Sequence, residues 1–150
     1  MKMKTITLKA LVIVAGVLSA AGAFAQNHAL TANVPFAFSV DNQVLPAGRY
    51  EIQTISNEQI PGGVIVRNID HPRYTVLVLA SNGQSQALPN HVITNGRLVF
   101  NNYDGKYFLR EARGTFNAVN ADFPVTKSEK SVQRQKQALL PTQAIVVAGQ

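Results

Sequence analysis

The chain has 150 residues with no cysteine and no tryptophan, and 14 basic against 8 acidic side chains give a formal net charge of +6. A domain of this length holds one hydrophobic core, and without cysteine that core forms with neither disulfides nor thiol chemistry. The positive excess sits at the two ends, on Lys2, Lys4 and Lys9 and on Lys127, Lys130, Arg134 and Lys136, while residues 26–126 balance seven basic against seven acidic side chains. A nucleic-acid-binding domain needs a basic face on its folded body, so this distribution argues against that class.

Residues 1–25 read as a secretory signal peptide. Three lysines without an acid precede the apolar block Ala10–Ala21, and Ala23-Phe24-Ala25 supplies the small-residue cleavage site. The block is shorter than the ~20 residues a spanning helix needs, and no stop-transfer segment follows it. Cleavage after Ala25 leaves 125 residues with eleven basic and eight acidic side chains, a net +3. The expected location is the periplasm or the extracellular space, with no membrane-spanning segment after cleavage.

In the mature chain, Val34, Phe36, Phe38 and Val40 alternate over Asn33–Val40 and predict a half-buried strand, with Pro35 placing it at a sheet edge or a strand start. Leu45-Pro46-Ala47-Gly48 has type I turn chemistry and leads into a strand over Arg49–Ile55, the expected antiparallel partner of the first. Pro61-Gly62-Gly63 and Asp70-His71-Pro72 bracket a strand at Val64–Arg67. The run Tyr74–Ala80 is apolar on both sides, as expected of a strand covered on both faces.

Asn82-Gly83, Asn95-Gly96 and Asp104-Gly105 each suit a type I′ hairpin turn, whose two central residues take positive φ, and together they predict a meander. A two-residue turn at Asp104-Gly105 sets Tyr103 opposite Lys106, Phe100 opposite Leu109 and Leu98 opposite Glu111. A second turn at Asn95-Gly96 sets Ile93 opposite Leu98. Ile93, Leu98, Phe100, Tyr107 and Leu109 then share one face, which a one-residue slip would scatter. Residues 113–125 read as a long connection anchored by Phe116 and Phe123. Thr126-Lys127-Ser128-Glu129 has capping-box spacing and opens a peripheral helix running to about Leu140, before Pro141. A short last strand is expected at Ala144–Ala148. The fold class is therefore all-β: an antiparallel β-sandwich or small barrel of about eight strands, with a short C-terminal helix. Its divisions are 1–25 signal peptide, 26–126 β domain and 127–150 basic helix with final strand.

Several of these segments together resemble a family of short exported proteins of soil bacteria. They are Val34-Pro35-Phe36 with Phe38 (V-P-F-x-F), Leu45-Pro46-Ala47-Gly48 with Tyr50 (L-P-A-G-x-Y), Tyr107-Phe108-Leu109 (Y-F-L), and the basic C-terminal segment. No activity is assigned to that family, so the resemblance implies export and fold and brings no site residue. The family pattern puts a tryptophan-containing stretch after Y-F-L, where this chain has Arg110-Glu111-Ala112-Arg113.

The residues nominate no catalytic, cofactor or metal site. The three histidines, His28, His71 and His91, lack metal-ligand spacing, and His91 falls opposite Phe100 in the register above. There is no G-x-S-x-G elbow and no phosphate loop. Glu111 is the one carboxylate expected on the apolar face, at the sheet rim near Arg110 or Arg113. Two surface candidates remain. Tyr103, Lys106, Phe108 and Arg110 point away from the Phe100/Leu109 core, either as an aromatic–cationic surface for a glycan or protein or as a face covered by a second sheet or the C-terminal helix. In the basic segment Lys127, Lys130, Arg134 and Lys136, the first three share a helix face suited to anionic lipid headgroups or acidic polysaccharide, or simply solvated. The leading functional expectation is a non-catalytic exported binding or interaction module, followed by a lipocalin-like carrier of a small apolar ligand and then by a hydrolase with an unrecognised site.

Overall fold

The structure, a computed structural model, describes residues 29–55, 58–83, 95–115, 119–135 and 141–147. The leader, His28, His91, Ile93, Phe116 and Lys136 lie outside them. Within the described residues the chain is all-β with one short helix. In chain order the strands are β1 (Ala29–Val34), β2 (Phe38–Val40), β3 (Gln43–Leu45), β4 (Gly48–Ile55), β5 (Gly63–Asn68), β6 (Thr75–Leu79), β7 (Ser81–Asn82), β8 (Arg97–Tyr103), β9 (Lys106–Arg113), β10 (Asn120–Asp122) and β11 (Thr142–Val147), with helix α1 (Lys127–Gln135) before the last. One sheet has the order β1-β4-β5-β6. The other runs β11-β8-β9-β10-β7, with β2 parallel to the start of β9 and β3 paired to β2. The sheets curl around one core as a half-barrel.

The Asn33–Val40 run is split rather than continuous. Pro35 has no N–H and a fixed φ, so the ladder stops there. β1 enters the first sheet and β2 the second. The alternation survives the break: Val34, Phe38 and Val40 are buried in the common core and Phe36 packs against it. Phe36 stacks on Tyr107 with ring centroids 3.8 Å apart and meets Phe100 edge-on at 5.2 Å. Phe38 meets Tyr50 at 4.9 Å and Phe100 at 5.3 Å, also edge-on. One short segment thus stitches both sheets together.

The partner of β4 is β1, Val34 opposite Gly48 and Ala29 opposite Gln53, and not the expected Asn33–Val40 strand, whose Phe38–Val40 part pairs with β3 and β9; nor is Leu45-Pro46-Ala47-Gly48 a hairpin turn. It carries the chain from β3 in one sheet to β4 in the other. The Tyr50 hydroxyl donates to the Pro46 carbonyl at 2.6 Å and pins this crossing. Gly48 has φ +155, and a Cβ there would run into the buried Asn68 amide. The tight turn in this region is Asp41-Asn42, with φ of 46 and 64, which closes β2 on β3.

At Asp104-Gly105, φ values of 51 and 84 give the expected turn, and Tyr103↔Lys106 and Phe100↔Leu109 pair as expected. Beyond them an irregularity at Val99/Phe100 accommodates one extra residue, Arg110, in β9. Leu98 therefore faces Ala112, and Glu111 faces Val99. The shift corrects the expected Leu98–Glu111 pair: a bulge keeps two apolar side chains in the core and turns the carboxylate out. Glu111 lies 3.3 Å from Arg113 instead. Asn82-Gly83 is also not a hairpin turn. Asn82 belongs to β7 and pairs with Ala121, and Gly83 is small because a Cβ would meet the Arg113 guanidinium and Asn120. The arm before Asn95-Gly96, with Ile93, lies outside the described residues, and Gly96 is not among the described glycines of positive φ that the expected turn requires.

Two further expectations change. The Tyr74–Ala80 run is covered on one face only: Val76 and Val78 are buried, whereas Leu77 is 49% and Leu79 63% exposed, because β6 ends its sheet with no described layer over its outer face. The C-terminal strand is part of the main fold, pairing along β8 from Thr142↔Asn102 to Val147↔Arg97. Among the described residues no helix is long and apolar enough to cross a membrane. Phe38→Ala should empty the junction between the sheets and cost about 3–5 kcal/mol, read as a lower urea midpoint with little change in slope.

Candidate functional site

Helix α1 lies on the outer face of β8 and β9. Its first turn is capped as the sequence suggests: the Glu129 N–H donates to Thr126 Oγ1 at 3.2 Å. The second half of the capping box is replaced. Instead of reaching back to Thr126, the Glu129 side chain turns into the interface and is 1% exposed. It accepts from Asn101 Nδ2 at 2.9 Å and from the Tyr103 hydroxyl at 3.3 Å, and Arg110 Nη1 lies 3.8 Å away. The Ser128 N–H and hydroxyl donate to Asn42 Oδ1 at 3.3 and 3.0 Å, so the β2–β3 turn also caps the helix. Val132 packs on Tyr103 and Phe108, whose rings meet edge-on at 5.8 Å.

This arrangement decides between the two readings of the Tyr103 group. Tyr103 and Phe108 are 3% and 4% exposed, so the aromatic–cationic surface is absent and the covered reading holds, because α1 occupies that face. Arg110 is held toward Glu129, and Lys106 stands exposed beside the turn. Glu129 and Asn101 are the residues that sequence reasoning missed. A carboxylate three positions into a helix is ordinary; only its partners on β8 and β9 make it structural.

Lys127, Lys130 and Arg134 are exposed and occupy one side of α1, where with Ser131 and Gln135 they line a shallow depression. The ion pairs among the described residues engage Arg49, Arg67, Arg110 and Arg113, leaving the α1 cations without a carboxylate in contact. Glu129, the only acid on the helix, is turned away from them into the interface. The row therefore presents uncompensated positive charge on a firmly seated helix.

Other polar groups serve the framework. Buried Arg113 donates to the Ala121 carbonyl at 2.9 Å and to Asp122, tying β9 to β10. Arg49 pairs with Asp70 at 2.6 Å, and the guanidinium holds that exposed carboxyl below its ordinary range. His71 stands exposed in the β5–β6 connection. Among the described residues no three His, Cys, Asp or Glu side chains are placed to hold a metal ion.

Glu129→Ala should cost about 1–3 kcal/mol, because it leaves the buried Tyr103 hydroxyl and the half-buried Asn101 amide without their acceptor. Glu129→Gln, which keeps an acceptor oxygen, should cost less in the same denaturation assay. Burial first, then the Glu129 charge and hydrogen bond, push the Tyr103 hydroxyl above 10.0. Folded Tyr103 therefore keeps its proton to higher pH than the unfolded chain. Its contribution is complete below about pH 10 and is lost as pH rises through the folded-state value. Tyr103→Phe should remove that part of the alkaline loss from a stability–pH series.

No family model, no curated protein and no solved structure matches the chain.

Proposed function

We propose that the chain is an exported, non-catalytic β module that docks on the anionic lipid headgroups of the cell envelope through the outer face of α1. The observation that carries this reading is the isolation of charge. The β body is electrically balanced, and the row Lys127, Lys130 and Arg134 stands on a helix whose one acid is buried on the opposite side. A helix already seated on the sheet needs no backbone ordering on meeting an anionic surface, and each cation near such a surface contributes about 1 kcal/mol. The leader-like pattern of residues 1–25 supports the export that such a contact requires.

Packing supports a module over a carrier. A lipocalin-like carrier requires an apolar chamber wider than its side chains fill. Here Phe38, Tyr50 and Phe100 meet ring to ring between the sheets. The depression at the β7–β10 corner is lined by polar groups that include Thr54, Ser81 and Asn120. Against a hydrolase stands the use of the buried polar groups: Glu129 seats the helix, and Arg113 ties two strands.

The exported protein should sediment with vesicles containing phosphatidylglycerol and not with neutral phosphatidylcholine vesicles, and added salt should release it. The triple change Lys127→Gln, Lys130→Gln, Arg134→Gln should weaken binding on the order of 100-fold. Undiminished binding by the triple variant, or equal binding to both vesicle types, would overturn the reading.

A further inference from the structure

The outer face of β6 and its edge, unpaired among the described residues, form a second surface, separate from α1. Natural sheets guard such edges with charge, proline or a bulge. Thr75-Val76-Leu77-Val78-Leu79 carries none of these, and its pairing with β5 is regular from Gly63↔Leu79 to Arg67↔Thr75. Hydrogen-bond phase gives the edge a definite pattern. The Asn68 N–H donates to the Tyr74 carbonyl at 2.9 Å, and the Ala80 N–H donates to the Gly62 carbonyl at 2.8 Å. In an antiparallel ladder the residues between must alternate, so Val76 and Val78 turn their backbone groups to β5 while Thr75, Leu77 and Leu79 turn theirs outward. Among the described residues no strand meets them.

We propose that a second copy of this chain pairs there, β6 against β6, antiparallel about a two-fold axis through Leu77. In that register Leu77 faces its own counterpart and Thr75 faces Leu79, and all three are the residues whose N–H and C=O groups point outward. Both strands are therefore in phase to bond. Val76 lies opposite Val78 on the core side, and Leu77 and Ile65 of each copy form one apolar row on the outer side, since Ile65 is the neighbour of Leu77 across β5.

Charge favours a second copy over a charged partner. Beside the row, Arg67 opposite Thr75 is paired with Glu51, and Arg73, just before the strand, lies over the Tyr74 ring. In the two-fold register Arg73 comes opposite Ser81 and not its own counterpart, so two copies meet without like charges opposed, and a strongly charged partner would meet mainly apolar side chains along the strand. The first sheet's other edge strand, β1, lies against β11, so the pairing closes as a dimer instead of growing into a filament. Five paired residues span about 17 Å, at the small end of specific interfaces, so the dimer should be concentration-dependent.

The exported protein should pass from monomer to dimer between micromolar and millimolar concentration in sedimentation equilibrium. Leu77→Lys and Leu77→Glu, each checked for an unchanged far-UV spectrum, should be monomeric alone, and an equimolar mixture should recover the dimer. The absence of native cysteine allows a register test. Leu77→Cys should cross-link to dimer under mild oxidation, because facing Cα atoms in a bonded antiparallel pair lie about 5.5 Å apart. Leu79→Cys should not, because its symmetry mate lies four residues along, on the order of 13 Å away. A monomer at every concentration, open-ended aggregation, or equal cross-linking at both positions would overturn the proposal. None of these outcomes bears on vesicle binding by α1, which is measured separately.

Discussion

The two sheets are held in register by one aromatic seam. Phe36 and Phe38 come from the short segment that leaves the first sheet at Pro35 and joins the second, and they meet Tyr50 from one sheet and Phe100 and Tyr107 from the other. In a chain without disulfides this contact replaces a covalent tie. Edge-to-face and stacked rings add about 0.5–1.5 kcal/mol per pair to the burial of their area. The curl of the sheets, the crossing pinned by Tyr50 and the position of the β2–β3 turn all follow from where that segment crosses.

That turn in turn positions the helix. Asn42, at its tip, accepts from Ser128, and Glu129 reaches Asn101, Tyr103 and Arg110 on the sheet below. The apolar contact of α1 is small, essentially Val132 on Tyr103 and Phe108. A helix with so little to bury is held by polar geometry, and polar geometry specifies orientation more sharply than apolar contact does. The basic row faces outward because the one acid is committed inward.

Legibility in the sequence followed the range of the interaction. The Asp104-Gly105 hairpin and the inward side of the V-P-F-x-F segment were readable because turn chemistry and alternation are local. Asp41-Asn42 offered the same kind of signal, two residues that tolerate positive φ, though without the glycine that usually marks such a turn. The extra residue at Arg110 left no local mark, because only the core's preference for Ala112 over Glu111 selects it. Asn82-Gly83 imitates a turn but answers to the Arg113 side chain from another strand. Glu129 fits a capping box by spacing, but its side chain goes to the half-buried Asn101, 28 residues away, instead. Whether Leu77 and Leu79 are covered depends on what lies above β6, which no window of sequence contains.

The Asn42–Ser128 contact joins positions 86 apart. Closing so long a loop is slow compared with forming a hairpin, and the helix is too short to persist unaided in water. The three cations are therefore gathered on one seated face only after β2, β3 and the sheet beneath α1 have assembled.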